Sequence, residues 1–156
     1  MTVLLVRHAH AGSREKWQGP GPDEVRPLSK KGWRQARGLV EVLEGYDIAR
    51  LLSSPYVRCV QTLEPLAAVL GVEIEAADEL AEGADPRATR DLVRVLGDTT
   101  AALSSHGDVL PNLLDLLIAE DGLDLPPDYP CAKGSTWVLR DDRGRLTAEY
   151  LPPPAE

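Results

Sequence analysis

The sequence predicts an α/β fold: a single three-layer αβα domain whose mostly parallel central sheet carries helices on both faces and ends in a C-terminal hairpin. Short apolar runs alternate with helix-period segments along most of the 156 residues, and that alternation builds parallel strands joined by helical crossovers. The last two apolar runs instead flank Asp142-Arg143-Gly144, a short link that suits a hairpin. A chain of this length buries enough apolar surface to stand without staples, so one domain spanning 1–156 is expected.

Residues 2–6 form an apolar run of strand character that stops at Arg7-His8. Residues 12–27 are rich in Gly, Pro and charge, which disfavours regular structure and suits a mobile surface segment beside a site. Ser29 offers an N-cap, Trp33, Ala36, Val40 and Leu43 recur at helical spacing, and Gly45 supplies the stop. Residues 48–53 read as the second strand. Ser54-Pro55 reads as an N-cap followed by the proline favoured at a first helical position, which puts Arg58 near the start of a helix that Pro65 bends or shortens before Gly71. Residues 72–75 make a weak strand, and the acidic stretch 76–84 reads as a loop. Asp85-Pro86 opens a third helix with Thr89, Leu92, Val93 and Leu96 on one face and Gly97 at its end. Residues 99–105 are a strand ending at His106-Gly107. Asp108 fits the start of a fourth helix with a Leu110, Leu113, Leu114, Leu117 and Ile118 stripe, and Gly122 stops it. Residues 135–139 and 146–150 form the hairpin strands.

Composition narrows the function. The formal charge of −8 argues against a nucleic acid polymer as partner, because such backbones are held by accumulated Lys and Arg. A few arginines gathered in one cleft can still hold a small anion on an acidic protein, because the near field outweighs distant screened charges. No apolar run approaches the length of a membrane span and the first residues lack a signal-peptide pattern, so a cytoplasmic protein with no membrane partner is expected. Cys59 and Cys131 are the two cysteines. Neither has companions at metal-ligand spacing, so no metal and no disulfide framework are expected.

The element order places Arg7-His8, Arg58 and His106-Gly107 at the carboxyl ends of strands, which line one crevice in open α/β sheets. Phosphoryl transfer needs an in-line nucleophile and positive donors matched to the equatorial oxygens. A neutral His8 imidazole can attack phosphorus, the planar forks of Arg7 and Arg58 can each hold two oxygens, and His106 with the Gly107 N–H can bind a further one. A leaving alkoxide also needs a proton, and the 78–82 loop offers Glu79 or Glu82. His10, Ser13, Lys16 and Trp17 are possible substrate contacts, although His10 is better suited to a bystander place or to supporting the groups that meet substrate. Cys59 reads as a packing residue.

Arg7-His8-Ala9, Arg26-Pro27-Leu28-Ser29 leading to Gly32, the Ser53-Ser54-Pro55-Tyr56-Val57-Arg58-Cys59-Val60-Gln61-Thr62 block and Ser105-His106-Gly107 together resemble the histidine phosphatase superfamily, which includes the phosphoglycerate mutases. The Ser-Ser-Pro-x-x-Arg-x-x-Gln-Thr pattern is the most specific part. The resemblance implies a metal-independent phosphatase with no cofactor, His8 as the phosphorylated nucleophile and Arg7, Arg58 and His106 as the phosphate pocket. It also favours Glu82, in Leu80-Ala81-Glu82, as the acid. Length and Arg26-Pro27-Leu28-Ser29 look like the short bacterial phosphohistidine phosphatases. His8-Ala9-His10-Ala11-Gly12-Ser13, Ser105-His106-Gly107-Asp108-Val109-Leu110-Pro111 and Lys133-Gly134-Ser135-Thr136-Trp137 look more like the phosphatase domain that follows a Nudix domain in some bacterial nucleotide hydrolases. The substrate implied is a small phosphorylated metabolite or nucleotide. A phosphoprotein carrying phosphohistidine, a mutase-type transfer and a noncatalytic phospho-ligand module are the alternatives.

Overall fold

The computed structural model describes residues 1–155. Six strands form one sheet in the order β3-β2-β4-β1-β5-β6. They are β1 (Thr2–Arg7), β2 (Arg50–Ser53), β3 (Ile74–Ala76), β4 (Ala101–Ser105), β5 (Thr136–Asp142) and β6 (Arg145–Leu151). The first four pair in parallel, while β5 and β6 run antiparallel as the hairpin.

Four helices cover the sheet: α1 (Lys30–Leu43), α2 (Val57–Leu70), α3 (Pro86–Leu96) and α4 (Val109–Glu120). Because successive strand side chains point to opposite faces, β1 feeds two separate cores. Val3 and Leu5 pack with Val93, Leu96, Leu110 and Leu113 beneath α3 and α4. Leu4 and Val6 pack with Leu39, Leu43, Leu63 and Leu66 beneath α1 and α2. Each such leucine is essentially withdrawn from water, which contributes about 2 kcal/mol per side chain before the entropy of ordering it. Among the described residues, no helix is long and apolar enough to cross a membrane.

The three-layer arrangement and the helix count follow the sequence expectation; several local assignments do not. The second helix begins at Val57 with Tyr56 in the N-cap position and no side-chain cap, so Ser54-Pro55 lies outside it. Pro65 sits within the unbroken α2. The first helix passes into a 3-10 turn, Glu44–Tyr46, and the left-handed residue that ends it is Asp47 rather than Gly45. The 76–84 stretch is not all loop, because Ala76 closes β3 and Asp78–Leu80 forms a 3-10 turn. Within 12–27, a third 3-10 turn, Asp23–Val25, leads into a buried Arg26.

Strand order decides what meets at the carboxyl edge. β4 lies between β2 and β1, with Arg7 opposite Ser105 and Ser53 opposite Ser104. Pairing continues one residue past each strand, with His8 N–H donating to Ser105 O at 2.9 Å and Ser54 N–H to Ser104 O at 2.9 Å. The segments that follow three neighbouring strands therefore leave the sheet side by side.

Candidate active site

A cavity of about 650 Å³ opens at that edge, lined among others by Arg7, His8, Arg58, Glu82, His106 and Gly107. The His8 and His106 ring centroids are 5.6 Å apart in an edge-on arrangement, so residues separated by most of the chain share one wall. Both rings are buried.

His8 is held in one tautomer. Its Nδ1 lies 2.8 Å from Ala9 O, and a carbonyl only accepts, so the proton sits on Nδ1 and Nε2 carries the lone pair. Ala9 N–H donates to Thr62 Oγ1 at 2.9 Å, and that hydroxyl donates to Arg58 O at 2.7 Å. The backbone after β1 is thereby fixed to the first turn of α2. Burial, followed by the charges of Arg58, His106 and Arg7, outweighs the Ala9 bond and pushes the His8 pKa down to about 3. The imidazole is therefore neutral near pH 7.

His106 meets Ser54 Oγ through Nε2 at 2.8 Å, and the same hydroxyl oxygen accepts Tyr56 N–H at 3.2 Å. This is the work of Ser54, which the sequence reading had assigned to a helix cap. The Tyr56 ring packs edge-on to His106 at 4.7 Å and lies under the Arg58 guanidinium. Burial, then the Arg58 charge, lowers the His106 pKa to about 4.

Arg58 is 1% exposed. Its Nη1 donates to Asp23 O at 2.9 Å and its Nη2 to Asp23 Oδ2 at 3.2 Å. The Asp23 carboxylate also holds Arg26 Nε at 2.8 Å and Arg14 Nε at 3.2 Å, and these guanidinium partners keep its pKa below the usual carboxylate range against the burial that raises it. Arg7 Nη1 donates to Cys131 O at 2.6 Å. The Nε–H groups of Arg7 and Arg58 are buried and meet no acceptor among the described residues. Unpaired buried donors are costly, and two cavity-lining arginines that carry them give this wall donors suited to an anion.

Glycine lets these groups approach. A Cβ on Gly107 would stand 2.6 Å from Arg7 Cζ, and one on Gly32 would stand 1.9 Å from His10 O. The first contact presses the guanidinium against the Gly107 backbone; the second seats the chain after His8 on α1, whose Ser29 caps Gly32 N–H as expected.

Glu82 lines the cavity and is ion-paired to Arg14. The Glu79 carbonyl accepts from Thr89 Oγ1 beneath α3, and Glu79 is not part of the cavity wall. Asp108 holds the N-cap position of α4 as expected but makes no side-chain cap bond; its carboxylate accepts Gly83 N–H at 2.8 Å and anchors the loop that carries Glu82. Ser13 lines the cavity, whereas Lys16 and Trp17 line an adjoining hollow of about 330 Å³ that shares Gly12, Ser13 and Arg26 with it. His10 turns to Ser29 Oγ at 2.7 Å and is not on the cavity wall. Cys59 is buried, with Sγ 3.5 Å from His106 Nε2, and burial raises its thiol pKa to about 12. Sequence reasoning missed Arg14 on the cavity wall and Asp23 as its partner, and it carried Lys133 only within a motif block. Arg26 and Thr62 were visible only as members of the motif blocks.

Comparison with known proteins identifies the family. The sequence profile of the histidine phosphatase superfamily (branch 1) matches residues 3–84. The chain is 38% identical over 161 residues to the 8-oxo-(d)GTP phosphatase of Mycolicibacterium smegmatis, an alignment covering 99% of this chain and 49% of that protein. It thus spans about half the length of that relative. The fold is similar to the crystal structure of SixA from Agrobacterium tumefaciens, with TM-score 0.76, 27% identity and 97% of both chains covered. It is also similar to a protein histidine phosphatase SixA complexed with tungstate, with TM-score 0.74, 24% identity and coverage of 99% and 97%. With its profile match running from β1 through the Glu82 loop, the chain belongs to the histidine phosphatase superfamily.

Proposed function

We propose that this protein is a phosphatase that works through a phosphohistidine on His8, without a metal, and acts on a small phosphorylated metabolite or nucleotide. The observation that carries the reading is the Nδ1–Ala9 O bond, which leaves Nε2 as an uncharged nucleophile facing a wall of cationic donors.

In the first step the Nε2 lone pair forms a bond to phosphorus while the bond to the leaving oxygen breaks. Arg7, Arg58, His106 and the Gly107 N–H balance charge on the equatorial oxygens. Glu82 delivers a proton to the leaving oxygen. In the second step water attacks phosphorus, its proton passes to the Glu82 carboxylate, and the N–P bond returns its electrons to Nε2. Glu82 shares its carboxylate with Arg14, so this cycle requires Arg14 to turn toward a phosphoryl oxygen when Glu82 is protonated. Similarity to the nucleotide phosphatase over nearly the whole chain favours a small substrate. Similarity to SixA from Agrobacterium tumefaciens over 97% of both chains supports phosphohistidine protein as the second reading.

Rapid quenching of turnover with an aryl phosphate should trap acid-labile, alkali-stable phosphate on the wild-type chain and none on His8→Ala, with inorganic phosphate as the product by phosphorus NMR. Turnover surviving in His8→Ala would refute the mechanism. Phosphoryl transfer to a second alcohol in place of water would make the protein a mutase. Ligand binding by both proteins with turnover by neither would make it a binding module.

A further inference from the structure

Lys133 stands in the link between α4 and β5, and its backbone is fixed beside the nucleophile. Gly134 N–H donates to Arg7 O at 3.1 Å and to His8 O at 3.2 Å, while Gln35 Nε2 donates to Lys133 O at 3.4 Å. Arg7 Nη1 binds the same link through Cys131 O. The side chain lines the cavity and makes no ion pair among the described residues. Arg26 and Arg58, in contrast, both hold the Asp23 carboxylate.

The surroundings of this ammonium are unfavourable for a positive charge. Burial, then the charges of Arg7, Arg26, Arg58 and Lys31, lower its pKa. Like charges gathered in a partly desolvated cleft repel, so this arrangement gains most when a multiply charged anion enters. One phosphoryl group, met by Arg7, Arg58 and His106, does not use the full cavity, whose volume of about 650 Å³ falls in the range of sites that enclose whole small molecules.

We propose that Lys133 seats a second phosphoryl group beside the one addressed by His8, with Arg26 on the same wall, so that the site selects phosphoanhydrides over single phosphates. The inference rests on the reading of the cavity as a phosphoryl site.

Calorimetric titration with inorganic pyrophosphate and with orthophosphate tests it, using a His8→Ala parent so that neither ligand is turned over. Adding Lys133→Met should lower the preference for pyrophosphate over orthophosphate about tenfold, the effect of one charge-assisted contact. Lys133→Arg should retain that preference. Lys30→Met removes an equal charge from the exposed start of α1 and should leave it in place. Equal losses for both ligands would assign Lys133 to the reacting phosphoryl and overturn the proposal, as would no loss or an equal shift in Lys30→Met. If the parent binds neither anion, both the subsite and the phosphatase reading fail; a parent that binds both with no Lys133 effect removes the subsite alone.

Discussion

Acidification should unfold this protein through its two active-site imidazoles before its carboxylates respond. The folded pKa values of His8 and His106 lie at about 3 and about 4, each below the ordinary 6.5. Below pH 6.5 the unfolded rings take up protons that the folded rings still refuse, so stability falls with pH across that window and the loss levels off near the folded values. Each pH unit costs about 1.4 kcal/mol per ring. From pH 6.5 to pH 5 that is about 2 kcal/mol each, or about 4 kcal/mol together, a large share of the about 5–15 kcal/mol that holds a typical domain folded. Asp23 and Glu75, whose folded pKa values lie below the ordinary 3.8 and 4.5, add their own losses only at lower pH. Urea unfolding at pH 7 and pH 5, in buffer free of phosphate, should show this loss in the wild type. His8→Asn and His106→Asn should each remove about half of it. A wild type equally stable at both pH values, or an asparagine variant as acid-sensitive as the wild type, would refute the burial argument.

Gly107→Ala drives a methyl into the Arg7 guanidinium, and if Arg7 holds phosphate as proposed, displacing it by about 1 Å should lower kcat/KM on the order of 100-fold; the melting temperature measured alongside should stay near that of the wild type. Asp23→Ala leaves the buried Arg58 without its counter-charge, a change that costs about 3 kcal/mol. Differential scanning calorimetry should show that loss, and inorganic phosphate should restore more of it than phosphate adds to the wild type. Glu82→Gln should reduce turnover of an alkyl phosphate at least about 100-fold while sparing an aryl phosphate, whose leaving group needs little help from an acid. Equal rates on the alkyl phosphate would remove Glu82 from the mechanism.

The groups legible in the sequence are those whose position follows from the chain's local rhythm. Arg7-His8 and His106-Gly107 end apolar runs, and Arg58 enters a helix just after another, so element order alone carries them to one edge. Their partners were hidden because each answers a group distant along the chain. Ser54 looks like a helix cap by local chemistry, yet its hydroxyl serves the His106 ring 52 positions away. Asp108 looks like another cap, yet its carboxylate takes the Gly83 N–H. In both cases a long-range partner engages the side chain that local chemistry would assign to a helix start, although Ser54 Oγ also accepts the neighbouring Tyr56 N–H.

The 12–27 segment shows why composition misleads most near a charged site. Its Gly and Pro content reads as irregular surface, but a short 3-10 turn holds Asp23 where it touches Arg14, Arg26 and Arg58. Guanidiniums brought together to receive an anion repel one another, and a cavity lined with them would splay without a counter-charge. A carboxylate bound to their nitrogens offsets that repulsion while Arg58 Nε stays unpaired on the cavity-lining side chain. Asp23 therefore holds the cationic wall together, and a segment with little regular structure sets the site's geometry. That role joins Arg14 and Arg26 from the 12–27 segment with Arg58 from α2, so it depends on how α2 packs on the sheet.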